Sequence, residues 1–186
     1  MDRKFVTVYC SHATHLDPSY YDNARDVGYG LADAGYGLVY GGASNGLMGV
    51  VADAMLERDG HVVGVIPNVE RLMEVAHPKV TQMVRVEEMW ERKRYMYQNT
   101  NAFVVLPGGY GTLDEVFEVL TLRKVGIHNK PVYFMNHQGF WNPMHDMLEK
   151  FIEAKTMNPE HRAFYQFVDS VPQLMELLEK DFTAAL

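Results

Sequence analysis

We predict from the sequence an α/β fold in which helices cover both faces of a doubly wound parallel β-sheet, built by a single domain over residues 1–186. Short apolar segments alternate with segments of helical spacing almost throughout, which favours parallel strands joined by right-handed helical crossovers. The apolar segments lack the polar–apolar alternation of half-exposed strands, so we expect both faces of the sheet to be covered. No linker, repeat or low-complexity tract divides the chain, and its length suffices for one core.

The predicted strands are short, apolar and rich in β-branched or aromatic residues. In chain order they are residues 5–10, 37–40, 61–66, 80–86, 102–106, 131–135 and 165–168. Pro67 ends the third and Pro107 the fifth, because proline cannot donate a hydrogen bond to a central strand's neighbour.

The predicted helices carry apolar residues three or four positions apart, so that each has one face for the core. In chain order they are residues 18–34, 47–59, 89–99, 112–125, 141–154 and 172–180. Gly35, Gly60 and Gly126 end three of them, and Pro172 stands in the first turn of the last. No element is predicted between residues 68 and 80. The order of elements predicts a Rossmann-like sandwich, whose ligands lie at the carboxyl ends of the strands.

Two glycine-rich turns follow predicted strands at that edge. The first reads GGASNGLMG over residues 41–49, and the second reads PGGYGT over residues 107–112. Glycine lets the backbone approach a ligand, and the free N–H groups of the next helix favour an anion there. Thr112 is predicted to be the N-cap of its helix, with a hydroxyl that also suits a phosphate oxygen. Neither turn is a Walker A loop or a GxGxxG motif, so the pattern indicates a nucleotide phosphate rather than NAD.

The composition argues against several classes of partner. A net charge of −7 disfavours nucleic-acid backbones, which need a basic surface, whereas the local cluster ERKR at residues 91–94 suits a small anion. No apolar run approaches the roughly 20 residues that cross a bilayer, and the single cysteine, Cys10, fits a reducing compartment. We therefore expect a cytoplasmic protein without membrane or nucleic-acid partners. Cys10, His12 and His15 lack a zinc-site spacing and a fourth ligand, so no metal is expected.

Four motifs carry a resemblance to a known family. PGGYGTLDE at residues 107–115 matches the motif P-G-G-x-G-T-x-x-E, and MWERK at residues 89–93 resembles its companion M-x-x-R-K. The first glycine-rich turn and GIHNKP at residues 126–131 match as well. In these motifs the sequence resembles the Lonely Guy family of cytokinin riboside 5′-monophosphate phosphoribohydrolases and their bacterial relatives. Members are often labelled possible lysine decarboxylases. Lysine decarboxylation, however, needs a lysine that binds pyridoxal phosphate in a much larger domain.

The resemblance implies a homodimer that hydrolyses a nucleoside 5′-monophosphate to free base and ribose 5-phosphate without a cofactor. Arg92 and Glu115 match the residues that the family uses in catalysis. The positions that match substrate contacts are Lys93, Gly108, Gly109, Gly111, Thr112 and Thr121. Gly42 in the first turn and Tyr110, which either stacks on a base or packs in the core, complete the candidate site.

The sequence departs from the family motifs at three places, and it leaves the role of Glu115 and the exact function undecided. CSHA at residues 10–13 replaces the family's usual CGSS, and Trp90 replaces a common histidine. A glutamate that is frequent shortly after His77 is either replaced by Pro78 or lost, and these departures leave the preferred base open. Glu115 is either the carboxylate beside the sugar or a capping-box partner of Thr112. The alternative functions are a general nucleoside-monophosphate nucleosidase and a non-catalytic carrier of a nucleotide or of molybdenum cofactor.

Overall fold

The strands form one parallel sheet whose order is β4-β3-β2-β1-β5-β6-β7, in a computed structural model that describes residues 3–184. Each strand pairs with its neighbours in parallel, as the alternation of strands and helices predicts. The strands are β1 Phe5–Tyr9, β2 Gly37–Tyr40, β3 His61–Pro67, β4 Gln82–Val86, β5 Ala102–Val105, β6 Val132–Met135 and β7 Gln166–Val168.

The helices cover both faces of this sheet. They are α1 Pro18–Asp33, α2 Gly46–Glu57, α3 Glu70–Met73, α4 Met89–Gln98, α5 Tyr110–Lys124, α6 Asn142–Glu153 and α7 Val171–Ala184. Apolar side chains of α1, α2 and α7 pack on one face, and those of α4, α5 and α6 pack on the other. Within residues 3–184, no helix combines the length and the apolar character that crossing a lipid bilayer requires.

Successive residues of the central strands serve the two cores in turn. The first core lies on the side of α1, α2 and α7, and the second on the side of α4, α5 and α6. On β1, Val6 and Val8 face the first core, whereas Tyr9 faces the second. On β5, Val104 faces the first core and Phe103 the second. Because both faces are buried, these strands read as continuous apolar runs, which is why the sequence predicted covered strands.

The strand order reverses between β1 and β5, and this point fixes where the loops meet. From β1 the chain moves outward to β4 on one side, then returns to β5 and moves outward to β7 on the other. The loops after β1 and β5 therefore lead to helices on opposite sides and leave a crevice between them. The Ser11 N–H donates to the Pro107 carbonyl at 3.0 Å, which ties the two loops together at the floor of that crevice.

Three details of the predicted elements were wrong. Helix α5 begins at Tyr110 with Gly109 as its N-cap, so Thr112 lies inside the first turn and is not the cap. Glycine was given too much weight as a helix breaker, because its cost in a helix, about 1 kcal/mol relative to alanine, does not prevent Gly111 from lying in the first turn. Helix α7 runs four residues further than predicted, to Ala184, and the short α3 lies in a stretch without a prediction. The other predicted strands and helices are confirmed to within two residues at each end.

Candidate active site

The turn between β5 and α5 is built around the Thr112 side chain. A β-carbon at Gly108 would lie only 2.0 Å from Oγ1 of Thr112, so glycine is what lets this hydroxyl pack against the loop backbone. Thr112 is 3% exposed. This packing holds the start of α5 against the loop and keeps the first N–H groups of the helix at the crevice.

Two other glycines of this turn meet open space. A β-carbon at Gly109 or at Gly111 would have no neighbour within 4 Å, and neither residue has a positive φ. Neither the packing of the protein nor the backbone conformation therefore demands glycine at these positions. The free space lies at the N-terminus of a 15-residue helix, where N–H groups and the helix dipole favour a phosphate group.

The turn between β2 and α2 requires its glycines for a different reason. Gly42 has φ of 78°, in the left-handed region that favours glycine, and the chain here passes close to β3. The preceding Gly41 lies against the guanidinium of Arg92, since a β-carbon there would be 2.0 Å from Nη2. The first glycine-rich turn therefore forms one wall of the space that the Arg92 side chain occupies.

Arg92 and Glu115 form a buried ion pair between α4 and α5. Nη1 of Arg92 donates to Oε1 of Glu115 at 2.7 Å, and the two residues are 9% and 5% exposed. Nε of Arg92 donates to the Val65 carbonyl on β3 at 3.1 Å. With Gly41 against Nη2, three separate elements hold the guanidinium, so its orientation toward the carboxylate is fixed.

Burial dominates the electrostatics of Glu115. Loss of hydration raises the pKa of its carboxyl above the ordinary 4.5, although the positive charge and the hydrogen bond of Arg92 act in the opposite direction. Tyr9 shares this environment, and burial followed by the nearby Glu115 charge raises the pKa of its hydroxyl. A carboxyl with a raised pKa and a fixed cation beside it is suited to accept and donate a proton during a reaction.

The structure excludes one of the two interpretations of Glu115. Because α5 begins at Tyr110, Glu115 lies in the second turn, and its carboxylate accepts from Arg92. The alternative that it caps the helix with Thr112 is wrong, since no side-chain cap hydrogen bond forms at Gly109 within the described part of the chain.

The remaining predicted residues are not all in the crevice. Nζ of Lys93 lies 2.6 Å from Oε2 of Glu118 and 3.1 Å from Oδ2 of Asp114, so it joins α4 to α5. Thr121 is exposed on the outer face of α5, about 16 Å along the helix from Tyr110 at 1.5 Å per residue. Tyr110 is 94% exposed, which excludes the core-packing alternative.

The three departures from the family motifs lie in different surroundings. Ser11 connects the two glycine-rich turns, because its carbonyl also accepts from Leu47 N–H at 3.0 Å. Trp90 is 56% exposed on the outer surface of α4. His77, next to Pro78, donates its backbone N–H to the Gly42 carbonyl at 2.8 Å, a contact that the sequence offered no signal for.

The candidate metal ligands are not brought together. Cys10 is buried, whereas His12 and His15 are exposed. Over residues 3–184, no group of three or more His, Cys, Asp or Glu side chains is arranged to hold a metal ion.

Comparisons with known proteins identify relatives of this chain. The family model described as possible lysine decarboxylase matches residues 48–178. Cytokinin riboside 5′-monophosphate phosphoribohydrolase LOG1 of Arabidopsis thaliana is 37% identical over 177 residues, which cover 95% of this chain and 82% of that protein. The enzyme LOG4 of the same plant is 38% identical over 175 residues, covering 94% and 80%.

Among solved structures, the molybdenum cofactor binding protein of Rippkaea orientalis superposes with a TM-score of 0.74 at 19% identity, over 97% of this chain and 98% of that one. At this identity, the similarity establishes a shared fold and nothing finer.

Proposed function

The chain belongs to the Lonely Guy family of cytokinin riboside 5′-monophosphate phosphoribohydrolases, and we propose that it hydrolyses the bond between base and ribose of an adenosine 5′-monophosphate, with or without an N6 substituent. The observation that carries the proposal is the buried Arg92–Glu115 pair beside the open space at the start of α5. The space suits the phosphate, and the carboxylate suits the reacting carbon.

The phosphate binds first in this scheme and holds the ribose in place. Backbone N–H groups at Gly109 and Gly111 approach the phosphate oxygens because no side chain stands between them. The Thr112 hydroxyl, held against Gly108, adds a side-chain donor. Binding energy from this remote group then orients C1′ of the ribose toward Glu115.

The reaction replaces a carbon–nitrogen bond with a carbon–oxygen bond. As the bond from C1′ to the base breaks, its electron pair stays on the base nitrogen and positive charge develops on the sugar. The Glu115 carboxylate stabilises that charge and accepts a proton from the water that attacks C1′. The same proton passes to the departing base, so the free base and ribose 5-phosphate form without any other reactant. Arg92 orients the carboxylate, and its positive charge opposes the rise in the pKa of Glu115 that burial causes.

A carrier function is less consistent with these residues. A carrier of a phosphorylated ligand needs the glycine-rich turns but not a carboxylate buried beside them, and burying that carboxylate carries a free-energy cost. Positions with such a cost are concentrated where chemistry is done. These residues do not select the base, because in this scheme Gly109, Gly111 and Thr112 bind the phosphate and Glu115 faces the ribose.

We also propose that the active protein is a homodimer in the cytoplasm that uses the outer face of α5. Exposed or half-exposed residues follow one another at helical spacing along this face: Tyr110, Leu113, Phe117, Thr121 and Val125. A stripe of this length in which all residues but Thr121 are apolar or aromatic is typical of an interface between protein chains. It also accounts for Thr121, which reaches a substrate only if this face packs against the crevice of a second copy.

The proposal is tested by incubating the purified protein with AMP and with N6-isopentenyladenosine 5′-monophosphate and measuring free base by chromatography. Glu115→Gln should abolish release, whereas Glu118→Gln, three residues along the same helix and paired with Lys93, should leave most of it. The ratio of the two rates separates cytokinin activation from general nucleotide turnover. Binding of AMP without release of base from either substrate would favour the carrier function.

A further inference from the structure

A short segment from the stretch without a sequence prediction lies directly on the first glycine-rich turn. Residues 75–77, named here the strap, run antiparallel to residues 42–44. Ser44 N–H donates to the Val75 carbonyl at 2.8 Å, and His77 N–H donates to the Gly42 carbonyl at 2.8 Å. The Ser44 hydroxyl also donates to the Val75 carbonyl, at 3.1 Å. The strap therefore fixes the backbone of this turn from the outside.

The His77 ring fastens the strap to helix α2. The residue is 5% exposed, and both ring nitrogens are engaged. Nδ1 accepts from Lys79 N–H at 3.2 Å, which assigns the ring proton to Nε2, 3.1 Å from Oδ1 of Asp53. Asp53 stands on α2, the helix into which the glycine-rich turn leads. The imidazole thus holds the strap in register with both the turn and the helix that follows it.

The first glycine-rich turn, which the strap fixes, contacts Arg92 of the proposed catalytic pair. His77 N–H fixes the Gly42 carbonyl, and Gly42 is already constrained by its φ of 78°. The neighbouring Gly41 is so close to Nη2 of Arg92 that a β-carbon there would be at 2.0 Å. A rotation of the backbone between these two glycines would change the space around the guanidinium, and with it the 2.7 Å contact from Arg92 to Glu115.

We propose that His77 is a positioning residue for the proposed hydrolysis, which acts through the strap and the Gly41–Gly42 backbone to hold Arg92 against Glu115. The proposal rests on the function proposed above. It assigns a role to a histidine that lies outside every motif on which the resemblance depends. Loss of the contact should lower kcat by roughly 10- to 100-fold, the effect of a misplacement of about 1 Å in an active site. The KM for the nucleotide should not change, because the phosphate binds at α5.

Three substitutions separate the two contacts of the ring. In His77→Gln, the side-chain amide nitrogen takes the place of Nε2 and still donates to Asp53, whereas His77→Asn retains only an acceptor in the place of Nδ1. His77→Ala retains neither. We expect kcat to fall most in His77→Ala, to fall in His77→Asn, and to be largely restored in His77→Gln. Asp53→Ala should lower kcat as His77→Asn does, and Asp53→Asn, which keeps the acceptor oxygen, should not.

The same variants are examined by NMR for the side-chain Nε–H signal of Arg92, assigned by its loss in Arg92→Lys. In the wild type this group donates to the Val65 carbonyl, so its signal should be distinct and slow to exchange. In His77→Ala it should shift and exchange faster, while the melting temperature shows that the protein is folded. If His77→Ala does not fold, Asp53→Ala applies the same test from the exposed end of the contact, since Asp53 has 60% of its side chain exposed.

The measurements on the His77 variants test the positioning role directly. An unchanged Arg92 signal with unchanged kcat in His77→Ala overturns the proposal, as does a rise in KM alone or a His77→Gln variant as impaired as His77→Ala. If the wild type releases no base from either nucleotide, the proposed function fails. The Arg92 signal then reports by itself whether His77 positions the guanidinium.

Discussion

Replacing Gly111 with alanine should make the protein more stable and a worse enzyme. Gly111 lies in the first turn of α5 without a positive φ, and a β-carbon there would have no protein atom within 4 Å. Nothing in the fold opposes the methyl group. If the phosphate of the substrate lies where we propose, the same methyl group occupies the space through which the backbone N–H groups reach it.

The two effects can be given magnitudes. Exchange of glycine for alanine in a helix stabilises by about 0.5–1 kcal/mol, which for a chain of this size corresponds to a rise of about 1–4 °C in melting temperature. Loss of one hydrogen bond to a charged group costs about 1.5–3 kcal/mol, or roughly 10- to 150-fold in affinity. We therefore expect the Kd for AMP and the KM to rise by that factor while the melting temperature rises.

Calorimetric titration with AMP, base release by chromatography and thermal unfolding provide the three measurements. Gly30→Ala is the matched control, because Gly30 also lies within a helix, and its β-carbon would meet only side-chain atoms: the flexible end of Met175 at 3.1 Å and Cγ1 of Val171 at 3.4 Å. That variant should bind AMP as the wild type does. Wild-type affinity for AMP in Gly111→Ala would place the phosphate elsewhere and would refute the argument from the open glycines.

Three further outcomes are expected. Gly28→Ala should destabilise the fold by about 1–3 kcal/mol, since its β-carbon would lie 2.8 Å from the Val51 carbonyl where α1 crosses α2. It should leave kcat unchanged below the melting transition. Thermal unfolding and base release measure the two effects. The acid limb of kcat/KM should titrate above pH 4.5, because burial raises the pKa of Glu115. Arg92→Gln should shift this limb to higher pH, because the substitution removes the charge that lowers the pKa. A pH–rate profile of each protein checks both. Phe117→Glu should convert the proposed dimer to monomers, as measured by light scattering, and a monomeric wild type would contradict it.

Most of the fold was predictable because the signals are local and consistent. Buried parallel strands produce apolar runs, and glycine or proline follows several elements, so the predicted positions of the strands and of all predicted helices except α7 are correct to within two residues. The start of α5 was misplaced because the penalty for glycine in a helix, about 1 kcal/mol relative to alanine, is too small to keep Gly111 out of the first turn. The stretch from residue 68 to 80 has no clear periodicity, since it forms one turn of helix and then the strap, whose partners are distant in sequence.

The candidate site was predictable only as a set of residue types. The motifs named Arg92 and Glu115, and the structure brings them together at 2.7 Å. Sequence spacing cannot show that the Lys93 side chain turns toward Glu118 and Asp114, or that Thr121 faces outward, because both depend on how α4 packs against α5. The role of a lone histidine such as His77 is invisible in a single sequence for the same reason.

The arrangement on α5 suggests why the motif is one continuous segment. The N-terminus of the helix offers the proposed phosphate site, and Glu115 follows Tyr110 by five residues, or about 7.5 Å of helix. Because a helix is rigid over this length, the distance from the phosphate to the carboxylate is set by the sequence and does not depend on loop conformation. Arg92, in contrast, comes from a different helix and has no covalent connection that fixes it nearby. Its position depends on contacts with Val65, Gly41 and Glu115, so the arginine side is where this chain needs additional support such as the strap. Substitutions at His77 should therefore weaken the reaction step, and substitutions in the first turn of α5 should weaken the binding of substrate.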